Sequence, residues 1–342
     1  MRVGARAAAA CLLAAAAAPA AAWVRSSSCP GDPNAGFALW WAGAPPVLSY
    51  RLSTAQVPVG CAPAGCANAS CGGDFPTLET LVKASVDAWA QARTAPTDPT
   101  PCTGLTTAYQ GAQTDPVARI QVGVEDGQDL IVFRKGTCAD MVPAGTPCLT
   151  QGGCGNLYNC WEEAASTGTL ALTVVTFRTG NGQILDADTE LWDWNGSTSR
   201  PTGHYFTCAG PNPPVPTCTG PGYNQEGCVE WDVGSVVTHE TGHMIGLDHQ
   251  TAAPSVMAPT LSGGSTAQRV LKADDVGAVC TIYPPGQPAL QQKLPGSCGS
   301  SSRASTGCGC TGGGAGLPGL LVLPFLRRRR GVRGVAFADR LR

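Results

Sequence analysis

The run His239-Glu240-Thr241-Gly242-His243-Met244-Ile245-Gly246-Leu247-Asp248-His249 restricts the fold of this chain more than any other stretch. Residues four apart on a helix share a face, so His239 and His243 can aim two imidazoles at one point while Glu240 projects beside them. A continuing helix would carry the chain away from that point. Gly246 offers the way out, because glycine takes the left-handed conformation that ends a helix, and the turn returns His249 to the same place. Three imidazoles that leave a fourth position open form the arrangement of a catalytic zinc site. Two histidines and a glutamate on a helix arise by chance, but the extension through Gly246 to His249 is far more specific. Of the four histidines in the chain, three lie in this run. The fourth, His204, reads as an ordinary loop residue.

Charge and cysteine content narrow the setting. Of 22 Lys and Arg, Arg2 and Arg6 lie near the start and seven Arg lie at or beyond Arg327, so 13 basic residues face 23 acidic ones between Trp23 and Gly314. A body that acidic argues against a nucleic-acid partner. The first 22 residues have the form of a secretory signal: Arg2 and Arg6, the short apolar run Ala7 to Ala18, and Ala20-Ala21-Ala22 as a small-residue cleavage site. Ala8-Ala9-Ala10 before Cys11 lacks the leucine of a lipoprotein box. Seventeen cysteines fit an oxidising compartment. Thirteen of them fall between Cys29 and Cys280. That number is odd, so at least one is free or pairs outside the body. No C-x2-C spacing occurs, which disfavours a zinc ribbon.

Coarse periodicity organises the rest. Val47 to Leu52, Thr106 to Tyr109, Asp129 to Arg134, Thr169 to Phe177 and Ile184 to Leu191 read as strands. Pro76 to Arg93 reads as an amphipathic helix, with Leu78, Leu81, Val82, Ala88 and Trp89 at helical spacing. Asp232 to Met244 is the helix of the histidines, with Asp232 as N-cap. Asp274 to Tyr283 is a further helix, entered through an acidic pair that suits a helix N-terminus. Gly136 to Cys160 and Gly203 to Cys228 read as long loops held by disulfides.

At the histidine run the chain resembles the metzincin metallopeptidases. Their second mark is a methionine turn beneath the zinc, and Ser255-Val256-Met257-Ala258-Pro259 is similar to it at the spacing of the matrixin branch. Trp40-Trp41 through Arg51 resembles the opening strand of a matrixin catalytic domain, and Leu170-Ala171-Leu172-Thr173 its substrate-binding edge strand. Leu271 through Tyr283 resembles its closing helix. The resemblance spans 37–283. It implies an α+β, metzincin-like catalytic domain: a twisted, mostly parallel sheet with an antiparallel edge strand, an active-site helix, a methionine turn and a C-terminal helix. It further implies one catalytic zinc on His239, His243 and His249, with Glu240 as general base. Peptide substrate would be held by Leu170, Ala171, Leu172 and Pro259, lying as an extended strand along Leu170 to Thr173. A monomer acting on proteins or peptides is the expected state.

Departures from the family pattern matter. Gln250 stands where matrixins usually have serine after the third histidine. Leu172 and Ile184 stand where a structural zinc would need histidines, which argues against a second zinc. Asp186, Asp188 and Glu190 alternate along one strand and could bind calcium together; a solvated acidic face is the alternative. Cys29-Pro30-Gly31-Asp32 is a distant echo of the cysteine that keeps matrixins latent, with a disulfide as its other role.

The expected organisation is a signal peptide at 1–22, a short segment at 23–36, the catalytic domain at 37–285, a Pro/Gly/Ser-rich linker at 286–307, a tail at 308–330 and an extension of no assigned role at 331–342. The tail joins Gly307-Cys308-Gly309-Cys310, an apolar stretch and Arg327 to Arg330. It resembles the C-terminal sorting tail of myxobacterial surface proteins, which implies transient membrane association, with arginines on the cytoplasmic side, and a surface-anchored or secreted product. The rival reading is a surface binding or adhesion protein on a catalytically inactive metzincin scaffold. Truncation before Cys308 is expected to release the body into the medium, as fractionation would show; equal release with and without the tail would remove the anchoring role.

Overall fold

The computed structural model describes residues 23–62, 72–115, 120, 123–162, 169–197, 202–208, 230–298 and 333–337. The signal segment and the Cys308 to Arg330 tail lie outside these residues. In chain order the elements are β1 (Val24–Arg25), β2 (Trp40–Trp41), β3 (Val47–Ser53), α1 (Phe75–Ala90), β4 (Thr106–Gln113), β5 (Asp129–Lys135), α2 (Cys138–Met141), α3 (Cys148–Gln151), α4 (Cys154–Tyr158), β6 (Ala171–Arg178), β7 (Gln183–Asp193), β8 (Phe206–Thr207), β9 (Trp231–Asp232), α5 (Val233–Met244), β10 (Leu247–Asp248), α6 (Ala273–Ile282) and β11 (Arg333–Phe337).

The main sheet runs β11-β6-β7-β5-β3-β4, with β2 also on β7. β3, β4, β5, β7 and β2 pair in parallel, whereas β6 is antiparallel to β7 and β11 antiparallel to β6. The architecture is α+β, with the expected antiparallel strand following the parallel set. The matrixin-like opening strand is broken in two. β2 and β3 are separated by Gly43 and the cis Ala44–Pro45 bond.

Strand alternation gives the sheet two different faces. Ile131, Phe133, Ala171, Val175, Ala187 and Leu191 point into the main core, beneath α1 and α5. Asp74 caps α1 by accepting from the Thr77 N–H, and Leu78, Val82, Ser85, Val86 and Trp89 form its buried stripe. Trp89 Nε1 donates to the Thr238 carbonyl at 2.9 Å, tying α1 to α5. Such a donor buried in the core is worth keeping only if it finds an acceptor.

The opposite face corrects the calcium expectation. Leu172, Val174, Trp161 and Trp192 form a separate apolar cluster there, and Asp186 and Asp188 are buried. Asp188 accepts from the Leu130 N–H at 2.8 Å. Glu190 is paired with Arg134 at 2.7 Å. Asp188 and Glu190 are thus committed to different partners, Asp186 Oδ1 has no hydrogen-bond partner, and among the described residues the three carboxylates are not a group that could hold a metal ion. With Asp186 and Asp188 buried, no solvated acidic face is formed. Gly136 to Cys160 also departs from the loop reading, since it carries three short helices. The Cys138–Cys160 and Cys148–Cys154 bridges fasten them, as the cysteine content implied.

Both ends of the described body wrap around it. β1 pairs antiparallel with β10. Residues 286–298, expected as linker, run along the N-terminal segment: the Ala38 N–H donates to the Gln292 carbonyl and the Leu294 N–H to that of Gly36. Cys29–Cys298 closes the two ends together. That bond takes one of the thirteen body cysteines outside the body and excludes a latency role for Cys29. Among the described residues no helix is long and apolar enough to cross a membrane.

Asp186 yields a pH prediction. Burial first, then Asp188 and Asp126, push its carboxyl up to about 8. Its folded pKa therefore lies above the unfolded value of about 4. The stability it contributes is complete below the unfolded value and is lost as pH rises through about 8. Thermal unfolding in metal-free buffer should show a Tm falling from pH 5 to 9, with a shallower fall in Asp186→Asn. Identical slopes would remove Asp186 as the cause.

Candidate metal centre

All twelve residues of α5 are buried, and Asp232 caps the helix by accepting from the Ser235 N–H at 2.7 Å. Asp232 is itself held by Arg269, whose Nε lies 2.8 Å from its Oδ2. At the other end the unpaired carbonyls of a buried helix need donors. Trp41 Nε1 supplies one to Met244 at 2.7 Å and the Tyr283 hydroxyl one to Ile245 at 2.8 Å. Gly246 follows with φ +89°, and a Cβ there would stand 2.6 Å from the Leu39 carbonyl oxygen. Only glycine meets both demands. The turn leads into β10, which β1 braces, and so to His249.

The three histidines converge. His243 Nε2 lies 3.1 Å from His239 Nε2, which lies 3.2 Å from His249 Nε2. His239 Nδ1 faces the Val256 carbonyl at 2.7 Å and His243 Nδ1 the Leu247 carbonyl at 2.8 Å. Carbonyl oxygens only accept, so both Nδ1 atoms carry the hydrogen and both Nε2 atoms present lone pairs. The close approach of these two Nε2 atoms is therefore not a hydrogen bond. Burial, then His243 and His249, hold His239 well below the ordinary histidine range, which keeps it neutral. Nitrogens each about 2.1 Å from a tetrahedral zinc would stand roughly 3.4 Å apart, close to the spacing found. The donor set fits zinc. Among the described residues these histidines are the group that brings three metal-binding side chains together.

Glu240 lies beside the ligands, buried, with Oε2 accepting from Thr173 Oγ1 at 2.6 Å. Its Oε1 has no hydrogen-bond partner. Burial pushes its carboxyl up to about 8, against the lowering effect of Thr173. Met257 lies under α5: a Cβ at Gly242 would meet its sulfur at 2.1 Å, so Gly242 is the space the methionine occupies.

Asp275 on α6 holds the methionine turn from behind. It accepts from the Val256 N–H at 3.0 Å and from the Ser255 hydroxyl, which in turn accepts from the Met257 N–H at 2.8 Å. Gln250, in the place of the expected serine, is buried, and its N–H donates to the Met257 carbonyl at 2.9 Å. Asp275 was readable only as half of an acidic pair suited to a helix start, because its partners lie about twenty residues upstream. Thr173 carried no signal beyond β-propensity.

Leu170, Ala171 and Leu172 have buried side chains, Ala171 and Leu172 starting β6. β11 covers β6 at Val174 to Arg178. The same edge at Ala171 to Thr173 carries no strand among the described residues. Pro259, Gln268 and Lys272 line a depression of about 440 Å³ whose described lining includes none of the three histidines. His204 is no ligand. Its Nε2 lies 2.7 Å from the Thr169 carbonyl, and burial lowers it to about 4.

These features define a metallopeptidase-type centre of the metzincin arrangement. The matrixin family model matches residues 162–284, a stretch that contains β6 through α6, and the chain is matrixin-like over it. No curated protein matches the chain.

Gly246→Ala tests how the third ligand is delivered. A left-handed alanine costs about 1–2 kcal/mol, and here its Cβ also meets the Leu39 carbonyl. A lower Tm together with weaker zinc retention is expected, as calorimetry and metal analysis would show. Unchanged zinc retention would mean that His249 reaches the site without this turn.

Proposed function

We propose that the chain is a secreted or surface-anchored zinc endopeptidase. The observation that carries the reading is the convergence of three Nε2 atoms, two with their tautomer set by backbone carbonyls, beside a buried glutamate that is not one of them. His239, His243 and His249 would hold zinc, which supplies Lewis acidity that polarises a peptide carbonyl and acidifies water. Glu240 would take the water's proton and hand it to the leaving amine. The substrate would add as an extended strand along Leu170 to Thr173, with main-chain hydrogen bonds giving affinity. Pro259 borders the depression that could take a side chain of the substrate.

Casein cleavage by purified protein tests the reading against a binding role. Chelation should abolish cleavage and stoichiometric zinc restore it. Glu240→Gln should retain zinc and fold while turnover falls by about 10²–10⁴-fold. A chain that holds zinc yet cleaves nothing would favour the binding scaffold, and an active Glu240→Gln would remove Glu240 as the base.

A further inference from the structure

Two threonines face α5 from the middle of an otherwise apolar sheet surface. Thr173 on β6 and Thr189 on β7 are directly opposite one another in the antiparallel register. Both are buried, and their hydroxyls lie 2.7 Å apart. Around them on the same face stand Ala171, Val175, Ala187 and Leu191, all part of the main core. Valine would fill either position with the same shape. Two buried hydroxyls need a partner to be tolerated there, and that partner is Glu240, whose Oε2 lies 2.6 Å from Thr173 Oγ1.

The direction of these bonds follows from chemistry. In the ionised form that a general base needs, the Glu240 carboxylate only accepts, so Thr173 gives its one hydrogen to it. Thr173 can then only accept from Thr189. The chain of donation runs Thr189 to Thr173 to Glu240. It fixes one carboxylate oxygen and leaves the other, Oε1, without a hydrogen-bond partner. A general base needs one oxygen held and one open towards the proton it takes.

We propose that Thr173, supported by Thr189, is the positioning residue that aims the Glu240 carboxylate, an inference that rests on the peptidase reading above. The Thr173 side chain touches neither substrate nor metal in this role; it acts through Glu240.

The test compares zinc-loaded wild type with Thr173→Val, Thr173→Ser, Thr189→Val, Glu240→Gln and the Thr173→Val/Glu240→Gln double variant on one peptide. Thr173→Val should lower kcat by about 10- to 100-fold, the scale of a misplaced catalytic group, with KM within about twofold. Zinc should stay at one per chain. Thr173→Ser, which keeps the hydroxyl, should recover most of the loss, and Thr189→Val should lose several-fold. The double variant should be no slower than Glu240→Gln alone, because a positioning residue has nothing to act on once the base is gone. A crystal structure of Thr173→Val should show Glu240 displaced. The proposal is overturned by a Thr173→Val kcat within twofold of wild type, by no recovery with serine, by additive losses in the double variant, or by an unmoved Glu240. Should Thr173→Val not fold, wild-type turnover in Thr189→Val would overturn it equally. A wild type that cleaves nothing removes the peptidase reading first, whereas an active wild type with indifferent threonines removes only the positioning role.

Discussion

The lone pairs of His239 and His243 face each other at 3.1 Å, and the rest of the body is organised around keeping them there. Such an approach suits nitrogens that share a cation, and the scaffold holds the rings in that arrangement. It does so through Nδ1. The Val256 and Leu247 carbonyls set two tautomers, and both carbonyls sit on segments anchored elsewhere. Val256 hangs from Asp275 on α6, and Leu247 pairs with Arg25 in β1. Elements far apart in sequence thus share responsibility for the orientation of two rings. A metal centre of this kind depends on the partners of its ligands as much as on the ligands.

Burial of α5 has a second consequence. A helix covered on every side cannot leave its ends to water, and each end is met by a different device. Asp232 and Arg269 serve the N-terminus, and Trp41, Tyr283 and the Gly246 turn serve the C-terminus. Trp41 precedes the first long strand and Tyr283 follows the last helix of the body. The chain's early and late segments are therefore both needed to finish one helix in its middle.

The metal centre was legible in the sequence because it is local. Helical periodicity, one glycine and one returning histidine lie within eleven residues, and the spacing rules of a single helix suffice to assemble them. The N-cap Asp232 and the methionine turn could be read for the same reason. What could not be read depends on contacts between distant segments. Thr173 meets Glu240 across 67 positions, and Asp275 meets Val256 across 19. Nothing in their immediate neighbours marks them. The alternating acids of β7 misled because alternation says which residues share a face, but not what covers it. Trp161, Leu172 and Trp192 close over that face. The Pro-, Gln- and Ser-rich composition after Pro284 suggested a linker, yet backbone hydrogen bonds to the N-terminal segment need no particular side chains, and composition is blind to them.

The Cys29–Cys298 bond joins positions 269 residues apart. It turns nearly the whole described body into a covalent ring, with the histidines, the sheet and both wrapping segments inside it. A single backbone cut within that ring opens the loop without producing two separate molecules. For a chain that would work among proteolytic activities, its own included, a nick in an exposed connection leaves every piece of the centre tethered. Such damage would be invisible on a non-reducing gel and would appear as fragments only after reduction.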